Sequence, residues 1–170
     1  TRARTSFDSG YYKLAEQCAL ALEAKQPHQP EALLLRGHVL QSLHRFKEAE
    51  TLASRLVKQR GLSFDYGLLG DAVMEQGKLN DAVEAAQKAE AVIYCIGIGD
   101  NFTNGVDRSS LDKVAERTGG RAFFPRDEAD LRKAFQQIQE EMRSQYMLSY
   151  EPTDAKLDGS YRTIEIKLAN

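Results

Sequence analysis

The sequence predicts a two-part molecule. Residues 1–90 read as an all-α solenoid of helical hairpins, and residues 91–170 as an incomplete α/β unit ending in a β-hairpin. Three observations predict this. Ala15, Ala49 and Ala82 recur at intervals of 34 and 33 residues, each inside the same run of bulky, small and apolar positions. Gly37 and Gly70 recur 33 apart in phase with them, each twelve residues before its own alanine. At Val92 this rhythm stops, and VIYCIGIG (92–99) is a nearly unbroken β-branched run, as in a strand covered on both faces of a parallel sheet.

The repeat is legible in detail. YKLAEQCALAL (12–22) aligns with FKEAETLASRL (46–56) and with LNDAVEAAQKA (79–89). A period of this length is the mark of stacked helical hairpins, because one hairpin alone cannot bury its apolar face. Small residues belong where antiparallel helices approach closely: Gly37 and Gly70 on the first helix of a pair, Ala49 and Ala82 on the second, with Phe46 or Leu79 filling the space beside the turn. His44-Arg45 and Gln76-Gly77-Lys78 are the predicted turns.

These landmarks resemble the tetratricopeptide repeat family, including Pro27 at the expected end of a unit, although Leu40 and Val73 stand where that family has Tyr. Counting back from Ala15 puts Ala3 at the first small position, so the first repeat reads as truncated. The resemblance implies a groove lined by the first helix of each pair. It would present His38, Gln41 and Ser42 from one repeat, and Asp71, Met74 and Glu75 from the next, to a protein or peptide partner. The family's Lys, Asn and Arg clamp for a terminal carboxylate is not reproduced. The plain alternative is that these six positions are solvated surface.

In the second half a polar loop (100–108) follows the strand, and Ser109-Ser110 reads as the cap of a helix carrying Leu111, Val114, Ala115 and Thr118 at helical spacing. Gly119-Gly120 is its stop. RAFFP (121–125) is a second short strand, so a βαβ unit is expected. Asp127 with Asp130 opens a longer helix with the face Leu131, Ala134, Phe135, Ile138 and Met142. YMLSY (146–150) and YRTIEIKL (161–168) alternate as hairpin strands around Asp158-Gly159. The helix over 79–90 suits either half.

IYCIGIGD, LDKVAERTGGRAFF, DLRKAFQQIQEEMRSQYMLSYEP and DGSYRTIEIKL, in that order, resemble the C-terminal portion of a bacterial von Willebrand factor type A domain, a Rossmann-like fold. That resemblance implies a partner-binding module near Asp100, and an exported location. The Asp-x-Ser-x-Ser motif that holds the family's divalent cation occurs nowhere in the sequence, so no metal ligand is carried over. A cation is expected only if a missing part of such a domain is present. A strand like 92–99 needs neighbours on both edges, yet one further parallel strand is available. Either residues are missing between the repeat and Val92, or a partner supplies strands, and self-association through the open edges is one form of this.

Composition narrows the function classes. Twenty-three Lys and Arg balance 25 Asp and Glu for a net charge of -2, which lacks the basic footprint of a nucleic-acid binder. No apolar run is long enough to cross a membrane. Cys18 and Cys95 have no metal-spaced neighbours and read as buried free thiols, which lean toward a cytoplasmic setting, against the resemblance, so the compartment stays open. Gly97 and Gly99 lack the third glycine of a phosphate-binding turn. Ser109 and Ser110 have no histidine partner, and His28, His38 and His44 have no ligand pattern. The expected function is therefore a non-catalytic scaffold without cofactor that binds proteins or peptides. The competing expectation is an α/β regulatory domain for a metal or small ligand, whose metal motif lies outside this chain.

Overall fold

The computed structural model describes residues 10–26, 29–99 and 107–145. Among them seven helices hold 72% of positions, and the remaining regular structure is one two-stranded parallel sheet. The order is α1 (Gly10–Lys25), α2 (Pro30–Ser42), α3 (Phe46–Gln59), α4 (Ser63–Met74), α5 (Leu79–Lys88), β1 (Cys95–Ile96), α6 (Arg108–Arg117), β2 (Ala122–Phe123) and α7 (Glu128–Arg143). The predicted hairpin over 146–168 lies outside the described residues, as do Ala3, Pro27 and His28.

From α1 to α5 each helix packs against the next, and α2 also touches α4. This arrangement explains two kinds of sequence. α3 and α5 each bury one stripe: Ala49, Leu52, Ala53 and Leu56 in α3, and Ala82, Val83, Ala85 and Ala86 in α5. α2 and α4 run between neighbours, and their buried residues, such as Leu33, Gly37 and Leu40, or Leu68, Gly70 and Val73, spread around the helix. One core cluster joins Leu33 and Leu40 to Ala49, Leu52, Ala53 and Leu56, and to Leu68 and Ala72.

The two landmark glycines serve different contacts. A Cβ on Gly37 would stand 2.4 Å from Leu68 Cδ2, so this glycine admits a side chain from the next hairpin. A Cβ on Gly70 would meet the Ala85 methyl at 3.4 Å and the Ala82 carbonyl at 3.6 Å, within its own hairpin. The expectation that both serve the approach within a pair is therefore right for Gly70 and needs correcting for Gly37.

The turns repeat as well. At the end of α2, His44 lies at φ 56° and donates its N–H to the Gln41 carbonyl, while Arg45 N–H reaches the Leu40 carbonyl. Thirty-three residues on, Gly77 at φ 75° and Lys78 make the same pair of bonds to Met74 and Val73. Both are Schellman closures. The residue after each left-handed position then ties the turn to the preceding second helix: Arg45 pairs with Glu16, and Lys78 with Glu50 at 2.8 Å. One charge pair is deeper. The Asp65 carboxylate is fully buried; it accepts from Arg60 Nε and Nη2 at 2.9 Å each, and from the Leu62 N–H at 3.0 Å. It thereby joins the end of α3 to the start of α4.

α5 ends in a third Schellman closure, through Glu90 at φ 55°, and the chain continues straight into the extended segment. The helix over 79–88 contacts both α4 and α6, which is why its sequence suits either half. β1 and β2 pair in parallel with Cys95 opposite Ala122 and Ile96 opposite Phe123, connected through α6. The ladder is far shorter than the apolar run over 92–99. Cys95 and Gly97 donate to the Arg121 and Phe123 carbonyls, whereas Ile93 N–H turns to the Thr118 hydroxyl, because β2 runs alongside for too few residues. Gly120 is required there, since a Cβ would lie 2.1 Å from the Ile93 carbonyl oxygen.

Three expectations change in this half, and a fourth spans both halves. The cap of α6 is Asp107, which accepts from Ser110 N–H at 3.1 Å, so the two serines occupy the first turn instead. Asp127 does cap α7, accepting from Asp130 N–H at 2.8 Å. The apolar face of α7 is only partly covered: Ala134 is buried, but Phe135 is 57% and Met142 62% exposed. Ile98, read as doubly covered strand, is 73% exposed, because no second neighbouring strand lies beside it among the described residues. Finally, Cys18 is exposed and Cys95 half-buried, so the thiols are free but not both interior. Burial, with the nearby Asp112 charge, pushes the Cys95 thiol above its ordinary value.

Candidate functional site

Stacking of α2 beside α4 fixes what the first-helix surface presents. Gln41 and Met74 hold equivalent register positions near the ends of these two helices, and the turn after α2 brings His44 and Phe46 beside them. The result is an open pocket of about 230 Å³, lined by Gln41, His44, Phe46, Asp71, Met74 and Glu75. The His44 and Phe46 rings meet edge to face, with centroids 5.5 Å apart, which stiffens one wall.

The electrostatics of the pocket are acidic. Asp71 and Glu75 sit one helical turn apart, and no Lys or Arg is among the lining residues. Although Asp71 as a residue is exposed, its carboxylate is crowded against the groove wall. That desolvation raises its pKa above the ordinary carboxylate value; the Glu75 charge adds to the rise, while His38 and the Gln41 amide oppose it. Gln41 is itself held in place, since Nε2 donates to the Leu68 carbonyl at 3.2 Å. Met74 and Phe46 supply the apolar part. This arrangement suits a chain that carries a cationic group beside an apolar side chain, and it contains no nucleophile paired with a base.

Of the sequence-predicted positions, Gln41, Asp71, Met74 and Glu75 come together. His38 lies close enough for its charge to act on Asp71 but does not line the pocket. Ser42 is the exception: its hydroxyl donates to the His38 carbonyl at 3.0 Å, which folds it back on its own helix instead of into the groove. Asp100 lies outside the described residues. His44 and Phe46 were read only as turn and filler. The signal that places them in the groove is the left-handed residue of the Schellman turn, which reverses the chain beside the end of α2.

Other depressions are less focused. One of about 250 Å³ opens where α5 meets α6, lined by Asn80, Ser110, Lys113 and Arg117 over Leu79, Val83 and Val114. Another of about 240 Å³ lies among α3, α4 and α5, beside the Lys88 ammonium over the Tyr66 ring. Among the described residues no group of three or more His, Cys, Asp or Glu is arranged to hold a metal ion, and no helix is long and apolar enough to cross a membrane. Compared with protein-family models, curated proteins and solved structures, the chain matches none of them.

Proposed function

We propose that the chain is a non-catalytic binding module whose helical array holds a peptide or helix from another protein in the groove between α2 and α4. The observation that carries this reading is the convergence of Gln41, Asp71, Met74 and Glu75, all named from the family resemblance, on one pocket with His44 and Phe46. The resemblance of the repeat to the tetratricopeptide family supports it, because that family presents its first helices to peptide partners. The resemblance of the second half to a type A domain adds a second module of partner-binding kind. Two carboxylates with no Lys or Arg among the lining residues favour a Lys or Arg on the ligand, and Met74 with Phe46 favours an apolar side chain next to it.

A random-peptide phage selection against the whole chain tests the proposal. Enriched peptides should pair a basic with a large apolar residue, and each should lose at least tenfold in affinity to the Asp71→Asn, Glu75→Gln double variant and to Met74→Glu. Selection that enriches nothing, or peptides that bind both variants as tightly as the parent, refutes it.

A further inference from the structure

α5 sorts its side chains by charge. Asp81 and Glu84 line the depression among α3, α4 and α5, whereas Asn80 and Val83, turned away from them, line the one shared with α6. α6 brings Lys113 and Arg117 to the same place, one helical turn apart. The depression of about 250 Å³ between the two helices therefore has two cations and no carboxylate among its lining residues. Its floor is apolar: Val83 and Val114 are buried and Leu79 is half-buried, while Asn80, Lys113 and Arg117 form an exposed rim. Arg117 is held at this rim, since Nη1 donates to Asn80 Oδ1 at 2.9 Å and its carbonyl accepts from Gln87 Nε2 at 2.7 Å. Ser110 commits its hydroxyl proton to Asp107 Oδ2 at 2.5 Å, so recognition of an anion falls to Lys113 and Arg117. Asp107 is engaged at the start of α6, where it also accepts the Ser110 N–H, and Lys113 acts on it through space without an ion pair between them.

We propose that this depression is a binding site for a small amphiphilic carboxylate, its acid group at Lys113 and Arg117 and its apolar body over Leu79, Val83 and Val114. The lining residues set each part of the ligand. Two cations one turn apart suit a carboxylate, and a guanidinium carries five N–H donors, of which the bond to Asn80 takes one. A bare inorganic anion would leave the floor uncovered, so the ligand needs an apolar body to gain from that surface. The volume lies below the usual range for drug-sized ligands, about 300–1,000 Å³, which limits the body to a short chain or a small ring. α5 belongs to the helical array and α6 to the βαβ unit. A ligand seated between them ties the two halves together and stabilises the folded chain by mass action.

Titration of the whole chain, methyl-labelled at Leu and Val, with hexanoate reads the site by nuclear magnetic resonance. The Leu79, Val83 and Val114 methyl signals should shift together, with a Kd on the order of 1 mM for a ligand of about eight non-hydrogen atoms. Hexanol, hexylamine and acetate should each bind at least about tenfold more weakly, because they lack the charge, its sign or the apolar body. Lys113→Gln and Arg117→Gln should each weaken hexanoate by about threefold. Lys113 is exposed, so Lys113→Gln keeps the fold and the test stands even where Arg117→Gln loosens the contact with Asn80. Methyl signals unmoved up to about 20 mM hexanoate, hexanol or hexylamine binding as tightly as hexanoate, or undiminished affinity in Lys113→Gln overturns the proposal. The groove at Asp71 takes no part in it, so phage-selected peptides should bind Lys113→Gln as they bind the parent, and failure of either proposal leaves the other standing.

Discussion

Gly37→Ala and Gly70→Ala should have opposite effects on stability, although the two glycines occupy equivalent positions of the repeat. In a helix interior Ala is favoured over Gly by about 0.8–1 kcal/mol, and both substitutions gain this. At Gly70 the new methyl meets the Ala85 Cβ at 3.4 Å and nothing closer, so the gain stands at about 0.5–1 kcal/mol. At Gly37 it falls 2.4 Å from Leu68 Cδ2, with Cδ1 and Cγ at 3.2 and 3.3 Å. Leu68 is enclosed in the core cluster, so moving its methyls aside presses on packed neighbours and overpacking costs about 1–3 kcal/mol. The net expectation for Gly37→Ala is destabilisation of about 0–2 kcal/mol. Urea unfolding followed at 222 nm measures both, and with a slope of about 1–3 kcal/mol/M the two midpoints should separate by roughly 1 M. Trimming Leu68 to Val should cost less in Gly37→Ala than in the parent, a coupling that a double-mutant cycle reads directly. A Gly37→Ala midpoint raised as much as that of Gly70→Ala would refute the assignment of Gly37 to the contact between hairpins.

Three further substitutions probe the turn, the buried charge and the groove. Glu90→Gly places glycine at the left-handed closing residue of α5, where Glu90 is exposed, and should raise stability by about 1 kcal/mol in the same urea assay; no gain would count against that closure. Asp65→Asn strips the carboxylate from the partly buried Arg60 guanidinium and should cost about 3 kcal/mol, the lower end of the range for breaking such a pair, because Glu31 remains 3.0 Å from Arg60. A change under about 1 kcal/mol would mean the pair behaves as a surface one. Asp71 holds its proton more tightly in the native state than in the unfolded chain, so its stabilising contribution is present below the ordinary value of 3.8 and is lost as pH rises through the raised native value. Asp71→Asn should therefore raise the melting temperature at pH 7 by more than it does at pH 3, even as it weakens peptide binding. Equal shifts at the two pH values would contradict the desolvation of that carboxylate.

Much of the helical half is written in the sequence because its determinants are local or periodic. Ala49, Ala82, Gly37 and Gly70 mark positions where helices touch, and the turns at His44 and Gly77 follow from chain reversal at a helix end. Asp127 is legible for the same reason, since a cap bonds three residues ahead. Burial in the second half was less legible. The apolar run at 92–99 has the composition of a doubly covered strand, but a ladder forms only where a neighbour runs alongside, and β2 extends for two residues.

The sequence by itself determined the alanine and glycine periodicity and the helices that carry it, since spacing along a helix fixes which side chains share a face. Only the tertiary structure decided that His44 and Phe46 join the pocket, that Gly37 makes room for the next hairpin, and that Cys18 meets solvent. These outcomes depend on which neighbour stands across each face. That is a property of how elements stack, which no local pattern of residues encodes.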